Sequence, residues 1–372
     1  MHRINFHYTI GTDSSPARVR NPLIDLLQAV AESGSISAAA KQLGLSYRHV
    51  WGELRRWEEN LGQSMIVWDK GQAARLTEFG TKLMWAERQA QARLLPQIEA
   101  LRADLERAYA VAFDDTAHVL TMYASHDEAL AALQEQARQP THRLHLDIRY
   151  TGSVDAIRAL NEGRCMMAGF HTLVGVGAGS LAQRTYKPLL RPGLHKLIGF
   201  ALRTQGLIVA RGNPLALHSL ADLRLRKARF ANRTLGTGTR VLFDELLAQA
   251  GIPADAINGY AQSEPSHAAV AQAVASGHAD AGLGIKATAR ARGLDFIPLA
   301  EEHYHLACLK SELDRPAVTT LLSLLRAEAW KSRLAGLAGY QPSHSGEILS
   351  MRAVLPWWTY RSPRHPAPDA AP

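Results

Sequence analysis

Cysteine is nearly absent: Cys165 and Cys308 are the only two in 372 residues. That excludes a disulfide framework and fits a reducing compartment. No run of about 18 apolar residues occurs, which argues against a transmembrane helix. The opening residues, Met1 to Ile10, mix His, Arg, Asn and Tyr and hold no apolar signal-peptide core. The cytoplasm is therefore the expected location, with no membrane partner. Acid is scarce in one place: Asp222 is the only Asp or Glu between Glu162 and Asp244, where Arg and Lys recur from Arg184 to Arg240. With a net charge of +8, this bias reads either as a solvated basic surface or as a positive lobe that attracts an anion or supports DNA.

Enzyme signatures are missing too. Gly236-Thr237-Gly238-Thr239-Arg240 lacks the Lys-Ser/Thr pair of a phosphate-binding loop and matches a dinucleotide fingerprint only weakly. No Gly-x-Ser-x-Gly elbow appears. No metal-ligand spacing stands out, with Cys165 isolated and His303-Tyr304-His305 equally compatible with a strand edge. Neither an enzyme nor a cofactor or metal is expected.

What is present divides into segments. Residues 1–20 read as an N-terminal arm, 21–80 as short amphipathic helices closing in a turn-rich segment, and 81–113 as one long helix. Residues 118–345 alternate short apolar runs with helices, and the tail 361–372, with four prolines, reads as disordered. Asn21 and Pro22 begin a helix whose Leu23, Leu26, Leu27 and Val30 share a face. Ser35 caps a second helix, Gly44 supplies a tight turn, and Ser46 caps a third reaching Leu61. Two helices joined by a short glycine-containing turn form a helix-turn-helix. The third helix presents Ser46, Tyr47, Arg48 and His49 at its start, above an apolar face of Val50, Leu54, Trp57 and Leu61. Polar side chains at that end are what readout of the DNA major groove requires. Met65 to Trp68 and Ala73 to Leu76 then flank Asp69-Lys70-Gly71-Gln72, as two strands flank the tip of a wing.

The string from Gly34 to Arg48, GSISAAAKQLGLSYR, resembles the molybdate-responsive (ModE-type) and LysR-type regulators, and Arg75 to Gly80 resembles the segment closing their wing. Ser46-Tyr47-Arg48 followed by Trp51 is closer to the molybdate regulators than to most LysR proteins. The resemblance covers roughly residues 20–85. It implies base contacts from Ser46, Tyr47, Arg48 and His49, with Ser35 at the same face. Lys70, Gln72 and Arg55 or Arg56 would meet phosphates.

Along the long helix, Ala90, Leu94, Ile98, Leu101, Leu105 and Ala108 recur at spacings of three and four. Such a stripe wants a partner helix, and in the resembled families the linker helix pairs two subunits. The expected assembly is a homodimer on a pseudo-palindromic site in double-stranded DNA, with a tetramer left open. Pro96 inside the stripe implies a kink or a break.

Beyond residue 118, strand, Ser/Thr/Gly turn and helix repeat, arguing an α/β sheet with parallel strands. The layout resembles the two-lobed periplasmic-binding-protein fold attached to helix-turn-helix regulators. Lobe 1 is expected at 118–203 and 304–345, and lobe 2 at 204–303. The fold class expected is therefore multidomain: a mainly α winged helix-turn-helix, a linker helix, and a type II binding-protein-like domain. Ser125, Ser153 and Thr237 or Thr239 each stand where a helix is expected to begin, and helix N-termini offer unpaired N–H groups to an anion. Gly152, Gly236 and Gly238 permit close backbone approach. Arg233 or Arg240 supplies charge, His126, His171 and His267 report ligand or pH, and Tyr304 closes over the ligand near the hinge. Thr151 and Asn232 complete the expected pocket, and Glu264 opposes an anion unless it faces away or pairs with an arginine. The expected effector is molybdate or tungstate, or alternatively a small carboxylate such as formate.

Overall fold

The computed structural model describes residues 21–68, 73–113, 118–139, 141–175, 177–355 and 357–358. The arm 1–20, the wing tip with Lys70 and Gln72, and the tail 361–372 lie outside the described residues. Asn21 accepts the Leu23 N–H and Pro22 occupies the first turn, so α1 (Pro22–Ser33) begins where the capping chemistry places it. It ends at Gly34, whose φ of 63° is the left-handed conformation glycine adopts freely. Ser35 caps α2 (Ile36–Gln42) and Ser46 caps α3 (Tyr47–Leu61), each through its hydroxyl oxygen. The wing strands β1 (Ile66–Val67) and β2 (Arg75–Leu76) pair antiparallel. Gly80 is needed beside them, because a Cβ there would stand 2.3 Å from the Met65 carbonyl oxygen. Leu23, Leu27, Val30, Val50, Leu54, Met65 and Met84 form this unit's core.

The linker helix α4 (Glu78–Phe113) runs 36 residues and continues through Pro96. The larger α/β domain follows with β3 (His118–Ala124), α5 (Glu128–Ala137), β4 (Leu144–Tyr150), α6 (Ser153–Asn161), β5 (Met167–Leu173) and α7 (Leu181–Tyr186). Next come β6 (His195–Val209), α8 (Leu220–Leu225), β7 (Phe230–Arg233), α9 (Gly238–Gln249), β8 (Ser263–Glu264), α10 (His267–Ala275), β9 (Ala281–Ile285) and α11 (Lys286–Arg290). The chain returns through β10 (Asp295–Leu309), α12 (Pro316–Arg326), α13 (Glu328–Ala335), β11 (Tyr340–Pro342), β12 (Ile348–Leu349) and α14 (Met351–Val354).

Strand order is β4-β3-β5-β10-β6-β9-β7-β8, with β11 and β12 on β6. The two 15-residue strands β6 and β10 pair antiparallel along their length and carry the chain between lobes. β5 pairs with β10 only from Glu302 to Cys308, whereas β9 pairs with β6 only from Gln205 to Val209. The lobes therefore change over near Arg203, Gln205 and Glu302. Sequence periodicity anticipates only Leu207 to Ala210 and His303 to Leu309 as strands, because each crossing strand has polar residues at its middle.

The α/β domain also does not stop at residue 345. Met351, Leu355 and Trp357 are buried against Phe170, Tyr186 and Leu190. Met351, Val354, Leu355 and Trp358 stand at i, i+3, i+4 and i+7, but Pro356 cuts the helix to a single turn, Met351–Val354, too short to stand out in the sequence. Among the described residues no helix is long and apolar enough to cross a membrane.

Candidate functional site

On the winged helix, Tyr47, Arg48 and His49 are exposed at the start of α3. Ser46 and Ser35 are committed as caps, with Ser46 Oγ accepting the His49 N–H at 3.2 Å and Ser35 Oγ the Ala38 N–H at 3.3 Å. Tyr47 stacks on Trp51 at 6.5 Å, and Trp51 meets the wing's Trp68 edge-on at 5.4 Å. Arg55 lies over Trp51 at 4.6 Å and pairs with Glu58 at 3.3 Å, while Arg56 pairs with Glu53. Both arginines are thus held on their own helix, and reaching a phosphate would mean leaving these partners. The aromatic run was missed in the sequence, although Tyr47, Trp51 and Arg55 stand four residues apart on one face.

The second site lies where the lobes meet. Gly152 of lobe 1 faces Gly236 of lobe 2 so closely that a Cβ on Gly152 would stand 2.7 Å from the Gly236 carbonyl oxygen. Val154 N–H donates to that same oxygen at 3.4 Å. Gly152→Ala should therefore push the lobes apart and cost about 1–3 kcal/mol, as overpacking does. Denaturant unfolding measures this; unchanged stability would mean the lobes yield there without strain.

Gly238 in turn leaves room for His171 and Ser153: a Cβ on it would meet His171 Nδ1 at 2.9 Å and Ser153 Oγ at 3.0 Å. The His171 ring lies 4.0 Å from the Tyr304 ring. Thr239 Oγ1 reaches His267 Nε2 at 3.4 Å and accepts from Gln205 Nε2 at 3.2 Å. Around these contacts the hydroxyls of Ser125, Ser153 and Tyr304, both His171 nitrogens, His267 Nδ1 and the Nε and Nη1 of Arg233 are buried without hydrogen-bond partners.

Burial, with Arg203 nearby, pulls the Arg233 guanidinium down to about 9. Burial also drives His171 and His267 well below the usual histidine range, so both are neutral imidazoles. Buried polar groups are normally satisfied, and an unsatisfied cluster calls for a partner. The cavity between His171, Gly238 and Glu302 holds about 10 Å³.

Beside the cluster lies a buried ion network at the lobe crossing. Arg203 pairs with Asp127 and with Glu302, and Tyr340 OH donates to Asp127 at 2.7 Å. Burial works against charge on Arg203, and Glu302 and Asp127 overcome it, leaving the guanidinium more firmly protonated than usual. Burial pushes Glu302 up despite Arg203.

Several expected pocket residues serve elsewhere. Ser125 does not begin a helix: Asp127 caps α5, accepting the Ala129 N–H at 2.8 Å. Asp127 immediately precedes the helix, so its carboxylate reaches the N-terminal amides that the serine, two residues earlier, does not. His126 lies against Glu99 of the linker helix, its Nε2 2.8 Å from the carboxylate. Arg240 pairs with Asp244 one turn along α9 and lies over Tyr260 at 4.1 Å, so it brings no free charge to the cleft. Asn232 braces backbone, donating to Tyr260 O and accepting the Arg233 N–H. Thr237 caps α9, and Thr151 donates its N–H to Ala124 O. Ser153, Arg233, His171, His267, Thr239, Gly238, Gly152 and Tyr304 remain at the lobe contact. Glu264 does pair with an arginine, the linker helix's Arg93, at 2.7 Å.

Residues 134–326, more than half of the chain, match the PBP superfamily domain. Residues 23–81 match the bacterial regulatory helix-turn-helix protein of the lysR family. Among curated relatives, the chain is 34% identical over 202 residues to the "Uncharacterized protein YvgK" of Bacillus subtilis, covering 54% of this chain and 64% of that one. The chain thus spans less than two thirds of that relative's length. It is 36% identical over 111 residues to the "Uncharacterized protein in ferredoxin 2Fe-2S gene 5'region" of Clostridium pasteurianum, covering 30% of this chain and 98% of that one. Similar solved structures include ArgP from Mycobacterium tuberculosis (18% identity, TM-score 0.40, 87% of this chain and 99% of that one). HinK, a LysR family transcriptional regulator from Pseudomonas aeruginosa, shows 17% identity and a TM-score of 0.40 over 80% of this chain and 94% of that one. The chain therefore belongs to the PBP superfamily, with a segment that matches the lysR-family helix-turn-helix set in front of that domain.

Proposed function

We propose that the lobe contact binds a small oxyanion, molybdate or tungstate in first place, and that binding alters how a dimer of winged helices holds a pseudo-palindromic operator. One observation carries this reading: Arg233 is buried with two unpaired guanidinium nitrogens amid hydroxyls and neutral imidazoles that also lack partners. A guanidinium fork suits oxyanions, and hydroxyls add donors without adding charge. The N-termini of α6 and α9, on which Ser153 and Thr239 lie, supply positive partial charge from opposite lobes. Molybdate is preferred because Ser46-Tyr47-Arg48 and Trp51 resemble the molybdate-responsive regulators. The second reading is a compact carboxylate such as formate, which the same guanidinium fork suits. The domain then acts as a sensor, with no catalytic step.

Leu94, Leu101 and Leu105 are 36%, 57% and 38% exposed on the outer face of α4, and this stripe would pair two subunits. The pair would set two α3 helices one turn of DNA apart.

Thermal denaturation with molybdate, tungstate, sulfate, phosphate and formate tests the site, since a binder of the folded state raises the melting temperature with concentration. A shift selective for molybdate and tungstate supports the first reading, and one selective for formate the second. No shift with any of them removes both. On the DNA side, Arg48→Ala should weaken operator binding by about 1–3 kcal/mol more than it weakens non-specific binding. Equal losses on operator and random duplex, compared by gel shift at one salt concentration, would show that Arg48 reads no base.

A further inference from the structure

We infer that the linker helix is a strap laid across the cleft of its own subunit, fastened to one lobe on each side of Pro96. Ahead of the proline, Gln89 donates to Glu264 at 3.0 Å, and Arg93 grips the same carboxylate through Nε at 2.9 Å and Nη2 at 2.7 Å. Glu264 ends β8 and belongs to lobe 2. Past the proline, Glu99 pairs with His126 at 2.8 Å and Asp104 with Arg149 at 2.6 Å, both in lobe 1. Ala92 and Ala103, 4% and 2% exposed, lie on the inward face and let the helix approach both lobes closely.

The proline is part of the fastening. In an α-helix the N–H of residue 96 would bond the carbonyl of residue 92, and proline has no N–H to give. The buried hydroxyl of Ser266 donates to the Ala92 carbonyl at 3.3 Å. A lobe 2 residue thus supplies the donor that the helix lacks. Ser266 also caps α10 by accepting the Ala269 N–H at 3.0 Å, so the contact is tied rigidly into lobe 2.

The strap is coupled to the cleft through adjacent strands. Glu264 pairs in register with Arg233, the cleft cation whose Nε and Nη1 lack partners. An anion bound at Arg233 would compete with Glu264 for that positive charge and leave Arg93 as its counter-ion. Oxyanion binding therefore tightens the Glu264–Arg93 grip and stiffens the helix that carries the winged domain. This last step rests on the effector reading above; the strap itself does not.

Two measurements on the full-length chain test it. First, Ser266→Ala is made in the wild type and in Pro96→Ala, where an N–H returns to the Ala92 carbonyl. Loss of the α10 cap is common to both backgrounds and cancels. The melting temperature should fall about 2–4 °C further in the wild type, as one buried hydrogen bond implies. Equal falls in the two backgrounds would overturn the proline-gap contact.

Second, hydrogen exchange of amides 86–95 should speed up about tenfold in Glu264→Gln, because the arginine grip restrains local opening. Unchanged exchange there would overturn the lobe 2 fastening. With molybdate added, slower exchange across 86–104 supports the coupling, and a raised melting temperature without slower exchange overturns it. No melting shift with molybdate counts against the effector reading, while the two ligand-free measurements still decide the strap.

Discussion

Arg233→Met is expected to raise the melting temperature of the ligand-free protein while abolishing its response to oxyanions. A buried guanidinium with two unpaired nitrogens is held in the folded state at a cost. Replacing buried charge with apolar volume is commonly neutral or stabilising by about 1–4 kcal/mol. For a domain of this size that is a rise of several degrees, roughly 2–4 °C for each kcal/mol.

The pH dependence has a definite sign. The folded state lowers Arg233 to about 9 from an ordinary 12.5. At neutral pH both folded and unfolded chains carry the proton, so the full penalty is present. Between those two values the folded chain sheds it first and gains stability as pH rises. The advantage of Arg233→Met should accordingly shrink above pH 9. A variant less stable than wild type at pH 7, or one that still responds to oxyanion, would remove Arg233 from the binding role.

Arg203→Met should have the opposite effect and the larger one. It leaves Asp127 and Glu302 buried without their shared cation, and breaking a buried pair by deleting one partner costs about 3–5 kcal/mol. At the same scale the melting temperature falls by about 10 °C. Glu302 is already raised by burial in the intact network, and losing Arg203 raises it further. The folded variant then holds a proton that the unfolded chain releases, so its stability recovers as pH falls. The deficit should be larger at pH 8 than at pH 5 in urea unfolding. A loss under about 1 kcal/mol, or one independent of pH, would mean that the network does not hold the lobe crossing together.

These two arginines show what the sequence discloses. Arg233 lies at the end of a short apolar strand beside a glycine-rich turn, and both are local signals. Arg203 has none: Asp127, Glu302 and Tyr340 are distant in sequence, and the strand register that sets Glu302 and Tyr340 beside it, with the start of α5 that brings Asp127, exists only in the fold. Caps and turns were legible for the same reason, since Asn21, Ser35, Ser46 and Thr237 act within three residues of themselves. The helix-start argument misplaced Ser125, because Asp127 two residues later is the stronger cap. His126 and Arg240 look like pocket residues until the linker helix and the next turn of α9 are seen to claim them. Hydrophobic period located the cores of both units, while the polar middle of β6 and β10 concealed how far those strands run. The pairing of Glu264 with Arg93 spans 171 residues, and charge pattern along the chain carries no sign of it.

The linker helix shows lobes on one face and exposed leucines on the other, which fixes its length in a way composition does not. Each residue of an α-helix turns the chain by about 100° and advances it 1.5 Å. A single residue inserted between Trp85 and Arg88, beyond the winged unit's core, would give up the Arg88–Asp25 contact but leave the grips of Gln89, Arg93, Glu99 and Asp104 in place, and swing α3 a quarter turn about the axis. Seven inserted residues would nearly restore its bearing and move it about 10 Å along. The helix therefore acts as a phase-keeping shaft: its residue count, more than its residue identities, sets where each winged domain points.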